Sequence, residues 1–180
     1  ASSSAPKSSA VWTTSAWNAC GSAGGANARA VSQVPSARGT LASAIRAGTL
    51  TPTALVERCL ARIRAVYAGE PANLNRDLTR QESILLNLQR ACEAAIDLAM
   101  HRVRRDKLGI PQDSRDAFDL LVRAGTLEPS LADGLKRMVG FRNIAVHDYA
   151  RLDLEIVRSI LDRHLGDLET FATESIRASA

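Results

Sequence analysis

The chain has 180 residues, 46% of them hydrophobic, and a formal charge of +4. That length allows one ordinary domain with an appendage. No run of 18 apolar residues occurs, which excludes a membrane-spanning helix of ordinary length. Of the 23 basic side chains only Lys7, Arg29, Arg38 and Arg46 lie in residues 1–50, which hold no Asp or Glu, so residues 51–180 carry 19 basic against 19 acidic groups. The basic pI of 9.3 therefore belongs to the N-terminal stretch. It gives the remainder no general attraction for nucleic acid; such binding must rest on local clusters such as Arg102–Lys107 or Lys136, Arg137 and Arg142. Cys20, Cys59 and Cys92 are odd in number and widely spaced, which fits neither a disulfide framework nor a zinc site and points to a reducing cytoplasm.

Residues 1–50 are rich in Ala, Ser, Gly and Thr without sustained periodicity, and are expected to form a disordered extension. Residues 51–180 are expected to fold as one helical domain. A first helix opens near Thr53, with Leu55, Cys59, Ile63 and Val66 on one stripe, and stops before Gly69 and Pro71. A loop through Asn73, Leu74 and Asn75 leads to a long helix from Arg80 to about Lys107. Those 28 residues lack Gly and Pro and would span about 42 Å. Their stripe (Ile84, Leu88, Cys92, Ala95 and Ala99, widened by Leu85, Ile96 and Val103) is broad enough to predict burial against more than one partner. Asp113 and Ser114 cap a short helix ending at Gly125, and Glu128-Pro129-Ser130 starts a fourth. A last helix begins at Asp153 and turns Ile156, Ile160, Leu161, Leu165 and Leu168 inward, with His164 toward solvent. No segment alternates with a period of two, so the fold class is all-α, with five helices, four of them substantial.

The chemistry concentrates in Arg142-Asn143-Ile144-Ala145-Val146-His147-Asp148-Tyr149. Arginine offers a planar donor fork for phosphate oxygens, and histidine can exchange a proton near neutral pH. On a regular helix Arg142 and His147 are about 140° apart around the axis. Either the helix loosens near His147, or a second copy of the motif completes the site across a two-fold axis. Glu93, Asp97 and His101 form a polar row on the long helix. Its ends are about 12 Å apart at 1.5 Å per residue, too far for one metal ion, so the row lines a cleft facing Arg142 or bonds within the bundle.

Arg142, four residues, His147, one residue, Tyr149 resembles the signature of HepT-type toxins, a branch of the HEPN ribonuclease superfamily. Glu82–His101 is similar to that family's long second helix. Glu57–Leu60 with Tyr67-Ala68-Gly69 is similar to its first helix, and Gly140–Asn143 to its motif approach. The resemblance covers about residues 55–175. It implies a HEPN-type bundle of four to five helices and a metal-independent endoribonuclease without cofactor. It also implies a homodimer whose two motifs share a cleft. The RNA 2′-hydroxyl would be the nucleophile and a 2′,3′-cyclic phosphate the product. His147 would act as general acid or base and Arg142 would hold the phosphate. Asn143, Glu93 and Asp97 would support catalysis or bind substrate. The implied partner is an MntA-like nucleotidyltransferase antitoxin that silences the toxin by transferring AMP to Tyr149. The alternative is a HEPN module that supports such a nucleotidyltransferase without cutting RNA. Residues 40–66 also look a little like the opening of amidase-signature hydrolases, but that family's Gly/Ser-rich core is absent and the chain is too short for it.

Overall fold

The computed structural model describes residues 51–147 and 152–178. The expected extension over residues 1–50 and Tyr149 lie outside them, and of His147 the backbone alone is described. Among the described residues there are seven helices and no strand: α1 (Pro52–Tyr67), α2 (Ala72–Asn75), α3 (Leu78–Arg105), α4 (Ser114–Arg123), α5 (Pro129–His147), α6 (Leu154–Arg163) and α7 (Leu165–Arg177).

Most helix starts are set by a side-chain oxygen that accepts from an otherwise unpaired backbone N–H, worth about 1 kcal/mol each. Asp77 caps α3 through Arg80 N at 3.0 Å. Asp113 caps α4 through Arg115 N and Asp116 N at 2.7 and 2.8 Å, and Asp153 caps α6 through Glu155 N at 2.9 Å. At α5 the Glu128 carboxylate takes this role, accepting from Ser130 N at 2.7 Å and Leu131 N at 3.1 Å. The cap of α1 is Thr51, two residues before Thr53, near which the sequence pattern opens the helix. Pro52 is the cause: it has no N–H to satisfy, and its fixed φ suits the first helical position.

The long helix ends in a Schellman motif. Leu108 N donates to Val103 O at 3.0 Å and Lys107 N to Arg104 O at 3.3 Å, with Lys107 in the left-handed region at φ 53°. Glycine is the usual occupant of that position because it has no Cβ to clash.

Two features differ from the sequence expectation. The segment around Asn73 forms the single turn α2, burying Leu74. The last helix breaks at His164 into α6 and α7. His164 is half-buried rather than turned to solvent, with Nδ1 3.0 Å from Asp167 Oδ2. Asp167 in turn lies over Gly134 of α5, where an added Cβ would come within 2.5 Å of Asp167 Oδ2. The first turn of α7 and α5 thus approach closely at a residue without a side chain.

Helix α3 is the hub, packing against α1, α2, α4, α5 and α7. Its broad apolar stripe is accounted for by these neighbours within one chain, so its breadth does not require a second copy. Leu60, Ile63, Ile84, Leu88, Phe118, Leu135, Phe141 and Phe171 are fully buried at the centre. Phe118 and Phe171 meet edge to face, ring centres 5.6 Å apart, which ties α4 to α7.

Arg102 is the exception in this core. The sequence offers Arg102–Lys107 as a local basic cluster, yet Arg102 is 2% exposed. Its Nη2 donates to Thr126 O at 2.8 Å and its Nη1 to Ser175 Oγ at 3.2 Å, and the guanidinium lies 5.7 Å from the centre of the Phe171 ring. Nε has no acceptor among the described residues. Burial, reinforced by the neighbouring Arg105, holds its pKa below the usual arginine range.

Cys59 and Cys92 are buried free thiols. Burial pushes both up, Cys92 to about 12, overriding the opposing influence of Arg142. The thiolate is the reactive species, so neither cysteine should take up a maleimide in the native protein near neutral pH. Both should react once the chain is denatured. Peptide mapping by mass spectrometry reads this directly, and labelling of native Cys92 would contradict the described packing.

Candidate active site

Helix α5 delivers the motif. One side of it (Leu135, Met138 and Val139) is buried in the core, and Arg142 continues that side toward α3. There Arg142 meets Glu93: Nε donates to Glu93 Oε1 at 3.0 Å and Nη2 to the same oxygen at 2.8 Å. The two side chains are only 14% and 13% exposed, so the pair is screened far less than a surface ion pair. Asn143, exposed on the next position, accepts from Arg142 Nη1 through Oδ1 at 3.0 Å. A guanidinium has five N–H donors. Among the described residues three are used here, which leaves one hydrogen on each Nη nitrogen.

The helix is unbroken through His147. It does not loosen between Arg142 and His147, so the two positions keep their separation of about 140° around one axis. The structure brings Arg142, Asn143 and Glu93 together. Asp97 is exposed one turn further along α3, and His101 is exposed beyond it; Arg142 is bonded to Glu93, not to Asp97. No group of three or more His, Cys, Asp or Glu residues suited to a metal ion occurs among the described residues.

Of the basic clusters, Lys136 is held by Asp119 at 2.8 Å and Asp133 at 2.9 Å, and these bonds raise its pKa. Arg105 is held by Asp106 at 2.7 Å. Helical spacing suggests that Glu93 could face Arg142, but not that it would meet the guanidinium edge. A groove of about 370 Å³ between α1 and the α6–α7 junction, lined by Arg64, Tyr67, Asp162 and Arg163 among others, includes none of the motif residues.

The profile of the ribonuclease HepT-like family matches residues 56–175. The chain belongs to the HepT-like ribonuclease family. It is 51% identical over 118 residues to the mRNA nuclease HepT of Shewanella oneidensis, covering 66% of this chain and 88% of that protein. It is 34% identical over 79 residues to a putative RNase of Archaeoglobus fulgidus, covering 44% and 59%. Among solved structures, the tri-AMPylated HEPN toxin of Shewanella oneidensis in complex with its MNT antitoxin superimposes with a TM-score of 0.66 at 49% identity, over 71% of this chain and 94% of that one. A toxin–antitoxin complex with AMP-PNP gives a TM-score of 0.66 at 48% identity, over 71% and 95%. The matched span takes in most of α1 and α7 and all the helices between them, and it contains the whole Arg142–Tyr149 motif.

Proposed function

We propose that this chain is the RNA-cleaving toxin of a toxin–antitoxin pair, with Arg142 and His147 as its catalytic residues. The observation that carries this reading is the Arg142 guanidinium, fixed by Glu93 and Asn143 with hydrogens to spare on both Nη nitrogens. RNA brings its own nucleophile, so the protein need only move protons and steady charge. The 2′-oxygen attacks the phosphorus as its proton passes to a base. The bond to the 5′-oxygen breaks, that oxygen takes up a proton, and a 2′,3′-cyclic phosphate remains. His147 supplies the proton transfers; Arg142 holds the phosphate as charge develops; Glu93 and Asn143 orient Arg142; Asp97 contributes to substrate binding beside them.

The divergence of Arg142 and His147 on one continuous helix favours a homodimer in which two motifs share a cleft. Val146 on α5, 38% exposed, gives that interface apolar surface one turn from Arg142. Tyr149 is the switch. An AMP transferred to it by an MntA-like nucleotidyltransferase would place a phosphodiester beside Arg142, neutralise it and imitate the substrate; the relative named as a tri-AMPylated toxin supports this regulation. No helix among the described residues is long and apolar enough to cross a membrane. With the buried free thiols, this favours action in the reducing cytoplasm.

Induced expression in a bacterial host tests the reading. The wild-type chain should arrest growth and leave RNA with cyclic phosphate ends, and His147→Ala should do neither. Equal harmlessness of both proteins, with no cleavage by either, would leave the non-catalytic HEPN module as the surviving alternative. Co-expression with the nucleotidyltransferase should restore growth and add AMP to the Tyr149 peptide by mass spectrometry.

A further inference from the structure

We propose that α3 carries two further phosphate-binding positions for the RNA strand, Arg90 on one side of the Arg142–Glu93 pair and Arg104 with Lys107 on the other. The proposal rests on the ribonuclease reading and extends it beyond the reacting phosphate.

The first support is register. At 100° per residue, Leu86, Arg90, Asp97, His101 and Arg104 fall within about 60° of one another around α3, with Glu93 at the border of that arc. All except Glu93 are exposed. Among the described residues this is the side of α3 not covered by its five packing partners, and Arg142 meets it at Glu93. Along the axis, Arg90 lies about 4.5 Å before Glu93 and Arg104 about 16 Å beyond it. A strand crossing Arg142 along α3 would meet a cation in either direction.

The second support is the accounting of cations. Across the bundle, Arg64, Arg80, Arg105, Arg123, Lys136, Arg142 and Arg158 are each matched to a carboxylate. Ten exposed cations among the described residues stand outside these pairs, and of these only Arg90, Arg104 and Lys107 lie on α3 or just past its end. Unmatched surface cations next to a phosphate-handling site are what counterion release by a nucleic-acid strand requires. Asp97 interrupts the row, so the arrangement is two separate positions rather than a continuous basic strip.

Lys107 also offers a clean test. It occupies the left-handed position of the Schellman motif, at φ 53°, where a glycine would be less strained. Ala68 holds the same conformation at the end of α1, at φ 51°, so the backbone there is no mark of a site by itself. Lys107→Gly therefore removes the charge and relieves the backbone together. Any loss of RNA binding in it cannot be assigned to a damaged fold.

The test uses the full chain carrying His147→Ala, a fluorescein-labelled unstructured RNA oligonucleotide and anisotropy titrations over a salt series. Adding Arg90→Ala, Arg104→Ala or Lys107→Gly should each weaken binding several-fold. Each should also make the log–log salt slope shallower by about 0.7 for every phosphate that is no longer neutralised. Arg62→Ala, on the exposed side of α1, should leave affinity and slope unchanged. In the His147-containing enzyme, the three substitutions should raise KM more than they lower kcat. Parental affinity and slope in Arg90→Ala and Arg104→Ala, with the His147→Ala parent itself binding RNA, would overturn the proposal and turn attention to a protein partner for this face. If the parent binds no RNA and the wild type cuts none, the ribonuclease reading has failed and the proposal falls with it.

Discussion

Arg142→Lys is expected to slow RNA cleavage roughly a hundredfold or more, the scale seen when a positioned charge-stabilising donor is lost, while the helical fold and unfolding temperature change little. The substitution keeps a positive charge, so a role limited to attracting phosphate would tolerate it. Arg142 is held more tightly than simple attraction requires. Its Nε and Nη2 grip one oxygen of Glu93 and its Nη1 holds Asn143, which fixes the plane of the guanidinium before substrate arrives. Lysine presents a point charge on a flexible stem and cannot satisfy Glu93 and a phosphate in one fixed plane. Single-turnover cleavage of a defined RNA, with circular dichroism as the fold control, measures this. A lysine variant cutting at the wild-type rate would reduce Arg142 to a general cation and remove the role assigned to Glu93.

Arg102→Ala is expected to cost about 3 kcal/mol of stability, within the range for truncating a large buried side chain, whereas Arg102→Met should stay within about 1.5 kcal/mol of the parent. Two effects compete at this position. The buried side chain fills space against Phe171 and donates to Thr126 O and Ser175 Oγ. Against that, it carries a charge with no carboxylate bonded to it and an Nε without an acceptor among the described residues. Alanine loses the packing and leaves the Thr126 carbonyl without its donor. Methionine restores most of the volume and removes the cost of burying charge. Chemical denaturation of the three proteins separates the contributions. If methionine falls as far as alanine, hydrogen bonding rather than packing holds α3 to α7 at this corner.

What the sequence reveals about the fold is uneven, for physical reasons. Helix α3 is legible almost to its ends because an unbroken apolar stripe without Gly or Pro has few other solutions. The break at His164 is not legible. Val157, Ile160, Leu161, Leu165, Leu168 and Phe171 keep a helical spacing straight across it, so the bend leaves no mark in the pattern. It is a tertiary event, associated with the His164–Asp167 bond and the close approach of Asp167 to Gly134. Arg102 misleads for a related reason: beside Arg104 and Arg105 it looks like part of a charged surface, and only the rotation of α3 turns it inward. At the site, residue types and spacing single out the Arg142–Tyr149 motif and the row Glu93, Asp97 and His101, but not which member of the row meets Arg142. The bond between Glu93 Oε1 and the Nε–Nη2 edge of Arg142 depends on how α5 crosses α3, which no local pattern encodes.

Glu93 and Arg142 are 49 residues apart in the chain. The guanidinium is therefore aimed only while α3 and α5 remain packed together, and an unfolded chain carries both groups without the machinery. A nuclease built this way cannot outlive its own fold. A protease or unfoldase that pries α5 from the bundle would disarm the protein before any peptide bond near the motif is cut, so quality control and detoxification become the same event.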